Sequence, residues 1–242
     1  MSGVVQRVDR KATWLMMETK TRVVILEDHL LTIDGYRHQL MHDPEIEIVA
    51  AVNYGDDLEP ALRSNTPVHL LFLDIHVPNS ALDIERYPIL HVIPKLLKRY
   101  AELRIVVVSV YKQATLIKAI MDAGASGYIL KDDRNIQQNL SSVIRTITAG
   151  GIYMSKDAYE QFVRKSGKDP ELSPRQAEIL YLCASHSGWS SAKLGEALGL
   201  SAATIRNLLS QIYAKFGVST RTAAIERARE MGLIPPVDVL DS

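Results

Sequence analysis

The amino-acid sequence predicts an α/β domain with a doubly wound parallel sheet, followed by an all-α domain of four helices. Between residues 21 and 150, five short apolar runs alternate with helical segments. After residue 171 the helical pattern continues without any strand pattern, and a polar segment at 165–170 with glycine and proline separates the two regions. Alternating strands and helices favour parallel strands joined by right-handed crossovers, with helices on both faces of the sheet.

The predicted strands are almost wholly apolar, as expected for strands buried on both faces. They are Arg22–Leu26, Ile46–Val52, His69–Leu73, Arg104–Val108 and Gly127–Leu130. The predicted helices of this domain are Leu30–Met41, Asp56–Arg63, Glu85–Tyr100, Gln113–Ala123 and Asn135–Ala149. Pro88 and Pro94 are expected to interrupt the third of these helices, because proline lacks a backbone N–H.

The second domain is predicted to begin at Ser173, where a capping serine precedes a proline suited to the first helical turn. The following helices are Ala192–Leu198, Ser201–Phe216 and Thr220–Met231. We therefore divide the chain into five parts. These are an N-terminal extension (1–20), the α/β domain (21–150), a linker helix and linker (151–170), the helical domain (171–232) and a C-terminal tail (233–242).

The composition is typical of a folded globular protein, with 242 residues of which 47% are hydrophobic and 23% charged. The 28 basic and 28 acidic residues cancel, so contact with nucleic acid has to use a local basic surface. The aliphatic runs are far shorter than the about 20 residues that span a bilayer. The first twenty residues lack the apolar core of a signal peptide, and a lone cysteine, Cys183, excludes an internal disulfide. We expect a cytoplasmic protein with no membrane contact.

Five polar residues follow the predicted strands. Glu27 and Asp28 follow the first strand, Asp74 the third, Ser109 the fourth and Lys131 the fifth. The carboxyl ends of parallel strands form the usual ligand-binding edge of such a sheet. Three carboxylates placed together repel one another and favour a hard divalent cation such as Mg²⁺. Asp74, on the central strand, is then the candidate nucleophile towards a phosphoryl group, whose oxygens Ser109 and Lys131 would contact.

The runs VVILEDH, LLFLDIHVP, IVVVSVY and GASGYILKDD resemble the receiver domain of bacterial two-component response regulators, which has a flavodoxin-like fold. The resemblance covers about residues 21–150. It implies that Asp74 is phosphorylated by a sensor histidine kinase or a small phosphodonor. It also implies that Tyr128 is an aromatic switch that moves inward when Ser109 engages the phosphoryl group. The implied Mg²⁺ ligands are Glu27, Asp28, Asp74 and the backbone carbonyl of His76.

One segment departs from that family. Asn79–Arg104 is several residues longer than usual and lacks the glycines of the family's loop. This departure leaves an alternative open, in which the receiver works without phosphorylation and responds to a protein partner or ligand. A phosphatase of the haloacid-dehalogenase type also uses an aspartyl phosphate, but it needs Asp-x-Asp, and Asp74 is followed by Ile75 and His76. We therefore expect a protein that is not an enzyme.

The predicted helix Ser201–Phe216 is amphipathic and contains no acidic residue. Its apolar side chains recur at spacings of three, four and seven, as on one face of a helix. On the opposite face, Arg206 and Asn207 suit the edges of guanine and adenine.

The runs LSPRQAEIL and LGEALGLSAATIRNLLSQIYAKFGV resemble the LuxR-type helix-turn-helix of NarL/FixJ regulators, over about residues 171–232. In that family the third helix enters the major groove and the fourth pairs two subunits. The resemblance implies that Thr204 and Lys215 contact phosphate, and that Arg206, Asn207 and Ser210 face bases. The expected protein is a homodimeric transcription factor whose phosphorylation changes dimerisation and promoter binding, with RNA polymerase as a further candidate partner.

Overall fold

A computed structural model of the chain describes residues 20–133, 136–163 and 172–234. Within these ranges it has six strands and ten helices. Strands β1 to β6 are Thr21–Leu26, Ile46–Val52, Leu70–Asp74, Arg104–Ser109, Gly127–Leu130 and Tyr153–Met154. Helices α1 to α6 are Leu30–Leu40, Gly55–Ser64, Ile89–Arg99, Ala114–Asp122, Ile136–Thr148 and Lys156–Val163. Helices α7 to α10 are Pro174–Ser185, Ser191–Leu198, Ala202–Phe216 and Arg221–Glu230.

The strands form one parallel sheet in the order β2-β1-β3-β4-β5-β6. The predicted fold class, a doubly wound receiver-type sheet followed by a four-helix domain, is confirmed. The sheet has one strand more than the five predicted, because Tyr153 and Met154 pair with Gly127 and Tyr128 of β5. Two residues are too few for a strand periodicity to appear in the sequence.

Alternate residues of each strand point to opposite faces of the sheet, and helices cover both faces. Val23 and Ile25 pack with α1 and α5 on one face. Val24 and Leu26 pack with α2, α3 and α4 on the other. All four of these side chains are fully buried, which explains why the strand sequence is continuously apolar.

The predicted helix Glu85–Tyr100 is wrong over its first four residues. The helix α3 begins at Ile89, and residues 85–88 form part of a turned loop in which Arg86 pairs with Pro78. Pro94 was expected to interrupt the helix but lies inside it. Burial of Ile89 and Ile93 against the sheet offsets the hydrogen bond that Pro94 cannot donate.

The predicted helix cap at Ser173 is confirmed. The Ser173 hydroxyl accepts the backbone N–H of Gln176, whose side chain accepts the N–H of Ser173 in return, so both halves of a capping box are present. Helices α8 and α9 both end at glycines in the left-handed conformation, Gly199 with φ 66° and Gly217 with φ 68°.

The helical domain packs against the sheet domain, with α7 lying on α3 and α4. Its buried residues are continuous with the core on that face of the sheet. Leu233 and Ile234, assigned above to a tail, are buried in this core and extend the helical domain. Nearly all of the predicted N-terminal extension, the polar linker at 165–170 and most of the tail lie outside the described residues. In the described ranges, no helix is both long and apolar enough to cross a bilayer.

Candidate functional site

The five polar residues predicted at the strand ends do lie at one edge of the sheet. Glu27 and Asp74 are almost fully buried, with 1% and 3% of their surfaces exposed, and Ser109 is buried at the end of β4. The Lys131 ammonium nitrogen lies 2.9 Å from Asp74 Oδ2 and 2.8 Å from Glu27 Oε2. One cation therefore bridges two buried carboxylates.

The protonation of these groups follows from their burial and their charges. Burial and the Asp74 carboxylate raise the pKa of Glu27, although hydrogen bonds from Lys131 and His29 act in the opposite direction. Burial alone would lower the pKa of Lys131, but the carboxylates of Asp74 and Glu27 outweigh it and raise that pKa. The ammonium of Lys131 is therefore charged at neutral pH and offsets the repulsion between the two acids.

The donor set at this edge fits a hard divalent cation. Carboxylate oxygens of Glu27, Asp28 and Asp74 and a ring nitrogen of His29 all lie within 4.8 Å of one another. Asp28 Oδ1 is buried and has no hydrogen-bond partner among the described residues, although His29 Nδ1 lies 2.7 Å away in an unfavourable alignment. An oxygen-rich cluster with an unsatisfied carboxylate oxygen is the type of site that Mg²⁺ prefers.

The loop after Asp74 supplies a further contact to the acid. The His76 backbone N–H donates to Asp74 Oδ1 at 3.2 Å, so the two carboxylate oxygens of Asp74 have different partners. The backbone carbonyl of His76 stays a predicted metal ligand.

The predicted switch residues belong to one hydrogen-bonded chain. Ser109 Oγ accepts the backbone N–H of Tyr111 at 3.0 Å, and the Tyr128 hydroxyl donates to the Tyr111 carbonyl at 2.7 Å. Tyr128 is fully buried, and burial raises the pKa of its hydroxyl far above the ordinary value. The ring of Tyr128 thus lies inward in this structure, and its movement during switching stays a prediction.

Two residues near the site were missed by the sequence analysis. Tyr111 and Arg86 both contact the ring of His76, at 3.0 Å from Nδ1 and 2.6 Å from Nε2 respectively. Tyr111 lies two residues after a predicted site residue, which is a weak sequence signal. Arg86 gives no local signal, because it reaches the site from the segment that departs from the receiver pattern.

The predicted recognition helix α9 presents its polar face to solvent. Ile205, Leu209 and Ile212 are buried in the helical domain. The five predicted DNA-contacting residues are all exposed, and they are Thr204, Arg206, Asn207, Ser210 and Lys215. The packing of the two domains therefore leaves this face uncovered.

The two predicted phosphate contacts at the ends of this face have different surroundings. Thr204 lies in the first turn, where its backbone N–H donates to the capping Ser201 hydroxyl at 3.0 Å. The Lys215 ammonium donates to Gln176 Oε1 of α7 at 2.8 Å, so it would exchange that partner for phosphate.

Comparison with known proteins agrees with this arrangement. Residues 170–228 match the family described as bacterial regulatory proteins, luxR family. The transcriptional regulatory protein DegU of Brevibacillus brevis is 25% identical over 241 residues, covering 90% of this chain and 96% of DegU. The response regulator UvrY of Escherichia coli is 25% identical over 205 residues, covering 81% of this chain and 88% of UvrY.

A solved structure has the same fold. It is RcsB from Salmonella enterica serovar Typhimurium, bound to the promoter rprA in the presence of the phosphomimetic BeF₃⁻. The alignment covers 86% of this chain and 98% of RcsB, with 19% identity and a TM-score of 0.62. Residues 170–228 therefore form a LuxR-family domain, and the chain that carries it is similar over most of its length to proteins named as transcriptional regulators and response regulators.

Proposed function

We propose that this protein is a cytoplasmic transcription factor whose promoter binding is controlled by phosphorylation of Asp74. The observation that carries the proposal is the Lys131 ammonium, held between the buried carboxylates of Glu27 and Asp74. A charged lysine beside a buried acid is suited to receive a phosphoryl group, because the added negative charge is offset where it arises.

The proposed donor is a sensor histidine kinase carrying phosphohistidine, or a small acyl phosphate. A carboxylate oxygen of Asp74 forms a bond to phosphorus as the donor's P–N or P–O bond breaks. The bonding electrons leave with the imidazole, which takes up a proton, or with the acyl carboxylate. Lys131 then contacts the phosphoryl oxygens, and Ser109 donates a hydrogen bond to one of them.

Glu27, Asp28 and Asp74, with the backbone carbonyl of His76, would hold Mg²⁺ at this edge. The bound cation would supply charge neutralisation for the incoming phosphoryl group. Asp28 supports this assignment most directly, because its buried oxygen has no other hydrogen-bond partner in the described residues.

The proposed output is the binding of a homodimer to promoter DNA. Arg206, Asn207 and Ser210 would face base edges from the exposed side of α9, and Thr204 and Lys215 would contact phosphates. The fourth helix of the domain, α10, would pair the subunits, so that two recognition helices meet two half-sites. Phosphorylation would change the dimerisation equilibrium and with it the affinity for the promoter.

Phosphoryl transfer is tested by incubating the protein with acetyl phosphate and Mg²⁺ and measuring its intact mass. We expect one added phosphoryl group on the native chain and none on Asp74→Asn. The exposed Asp57→Asn on α2 is the matched control and should react like the native chain. A folded native protein that gains no mass, with acetyl phosphate or a kinase, would favour the phosphorylation-independent alternative.

DNA binding is tested by selecting duplexes from a randomised library with the native protein and measuring the affinity of the enriched sequence. Arg206→Ala should weaken that affinity about tenfold, since one good base contact contributes about 1–3 kcal/mol. Lys156→Ala removes the same charge from the exposed surface of α6 and should leave the affinity unchanged. If neither the phosphorylated nor the unphosphorylated form enriches any sequence, the proposed output is wrong.

A further inference from the structure

The first part of the segment that departs from the receiver pattern, Asn79–Arg104, pairs with the residues just before it in a hairpin formed by residues 77–79 and 85–87. The Asn79 backbone N–H donates to the Glu85 carbonyl at 2.8 Å, and the Tyr87 N–H donates to the Val77 carbonyl at 2.9 Å. The Asn79 side chain also donates to Asp83 Oδ2 at 2.9 Å across the turn. We call residues 77–87 the coupling hairpin. Its hydrogen bonds fix the backbone positions from which Glu85 and Arg86 extend.

Arg86 of the coupling hairpin reaches the acceptor side of the receiver. Its guanidinium lies 2.6 Å from His76 Nε2 and 3.3 Å from the Tyr111 hydroxyl, and His76 Nδ1 lies 3.0 Å from that hydroxyl. Arginine only donates hydrogen bonds, so Nε2 is the accepting nitrogen and the neutral ring carries its proton on Nδ1. The three side chains therefore form a closed triangle of hydrogen bonds.

Two residues of this triangle are each joined by one hydrogen bond to a residue of the proposed phosphorylation site. The His76 backbone N–H donates to Asp74 Oδ1, and the Tyr111 backbone N–H donates to Ser109 Oγ. A displacement of Asp74 on phosphorylation therefore shifts His76, and a displacement of Ser109 shifts Tyr111, and these are the two residues that Arg86 joins.

Glu85, the adjacent residue, contacts the DNA-binding domain instead. Its Oε2 lies 3.0 Å from His186 Nδ1, and its Oε1 accepts the Ser187 backbone N–H and hydroxyl, both at 3.3 Å. The His186 ring stacks on Trp189, with ring centroids 3.9 Å apart. Neighbouring residues of this hydrogen-bonded hairpin thus contact the acceptor site and the helical domain.

We propose that the coupling hairpin transmits the phosphorylation state of Asp74 to the LuxR-type domain, with Arg86 as a positioning residue of the acceptor site and Glu85 as its contact to His186. The proposal rests on the proposed phosphorylation of Asp74. When Ser109 engages the phosphoryl group, its bond to Tyr111 lengthens and the triangle around Arg86 rearranges. The hairpin moves as a unit, so the contact between Glu85 and His186 weakens.

The fluorescence of Trp189 reports this contact in the full-length chain. The other tryptophan, Trp14, is replaced by phenylalanine in every sample. Mg²⁺ and BeF₃⁻ are added to the native background and to Arg86→Gln, and the uptake of phosphoryl from acetyl phosphate is measured separately by intact mass. We expect an emission change in the native background and almost none in Arg86→Gln.

A second variant tests the reverse direction, since coupling between two sites is reciprocal. Glu85→Gln lies outside the acceptor site, yet it should change the lifetime of the phosphoryl group on Asp74. Glu102→Gln removes the same charge from an exposed position of the same long segment and should leave that lifetime unchanged. In the native chain, phosphorylation should change the DNA affinity by about 5- to 150-fold, the usual range for coupled sites. In either hairpin variant, phosphorylation should leave the DNA affinity nearly unchanged.

The outcomes separate the two proposals. If the native protein takes up no phosphoryl group, the proposed function fails and this inference fails with it. If it is phosphorylated but Trp189 does not respond, or if Arg86→Gln responds as the native background does, the coupling hairpin is not the route and the proposed function stands. Lys98→Gln, a charge-matched change on the exposed face of α3, should respond like the native background.

Discussion

Asp28 Oδ1 is a buried carboxylate oxygen at the acidic edge that accepts no hydrogen bond from the described residues, although His29 Nδ1 lies 2.7 Å away. Glu27 and Asp74 share Lys131, so their charges are already offset in part. At the scale of single residues, a cation at this edge therefore improves the electrostatic environment of Asp28 more than that of its neighbours.

Mg²⁺ should stabilise the native protein against unfolding, because it binds the folded acidic edge and not the separated residues of the unfolded chain. At about 100 times its dissociation constant, a ligand of this kind adds about 2.7 kcal/mol to the free energy of unfolding. Asp28→Asn should lose most of this gain in thermal unfolding with and without Mg²⁺. The exposed Asp34→Asn should keep it. Equal stabilisation of both variants would argue against Asp28 as a ligand.

Cys183 should be unreactive in the folded protein. The thiol is fully buried in α7, and burial raises its pKa to about 11, so very little thiolate is present at neutral pH. We expect a disulfide reagent to react with it at least about a hundredfold more slowly than with an exposed cysteine, whose pKa is near 8.5. Reaction should become fast in concentrated guanidinium chloride. Fast labelling of the folded protein would show that α7 opens readily.

At the scale of elements, the sequence could predict what is decided locally. Strand ends, helix caps at Ser173 and Ser201, and glycine stops at Gly199 and Gly217 each depend on a few neighbouring residues. The start of α3 was mispredicted because three of the four residues before it, Glu85, Arg86 and Tyr87, pair across the coupling hairpin, which periodicity does not detect. The placement of Arg86 against His76 likewise depends on the shape of that hairpin, and no pattern of residues encodes it locally.

The turn after α8 comes so close to that helix that position 195 within it requires glycine. A Cβ on Gly195 would lie 2.5 Å from the Leu200 backbone carbonyl oxygen, which cannot move without displacing the recognition helix. Gly195→Ala should cost about 1–3 kcal/mol, as overpacking usually does, and should also weaken DNA binding. Both are measurable by denaturant unfolding and by titration of a selected duplex.

Gly188→Ala is the matched control for this change. A Cβ at Gly188 meets no atom within 4 Å, so its stability and DNA affinity should stay close to the native values. If Gly195→Ala behaves like Gly188→Ala, the close approach of α8 to the turn at Leu200 is relaxed in solution.

At the scale of the whole molecule, the two domains are joined by contacts that leave the predicted DNA-contacting face of α9 exposed. α3 carries two of them, since His91 Nδ1 lies 2.6 Å from Glu178 Oε1 and Lys95 donates to the Ala197 carbonyl at 3.4 Å. On α4, the Thr115 hydroxyl donates to the Met231 carbonyl at 2.7 Å. Because this packing does not cover the predicted DNA-contacting residues, the proposed control by phosphorylation would act through domain orientation and subunit pairing, and not through simple occlusion of α9.

The contact between His91 and Glu178 makes the stability of the domain interface depend on pH in the acid range. Both side chains are largely buried, with 8% and 13% of their surfaces exposed. Burial alone would raise the pKa of Glu178, but hydrogen bonds from His91 and Arg175 outweigh it and hold that pKa below its ordinary value of 4.5. A carboxyl group with a lowered pKa contributes its full stabilisation above the unfolded pKa and loses it as pH falls through the folded pKa.

The native protein should therefore lose stability more steeply than Glu178→Gln as pH falls below about 4.5, the ordinary pKa of the carboxyl group. The free energy of unfolding is measured by denaturant titration, followed by Trp189 emission in the Trp14→Phe background, from neutral pH to below the ordinary pKa of the carboxyl group. Glu226→Gln removes an exposed carboxylate from α10 and should keep the native slope. If the free energy of unfolding falls with the same slope in the native protein and in Glu178→Gln as the pH is lowered, the interface does not hold Glu178 ionised. The contact through α3 would then contribute little to the packing of the two domains.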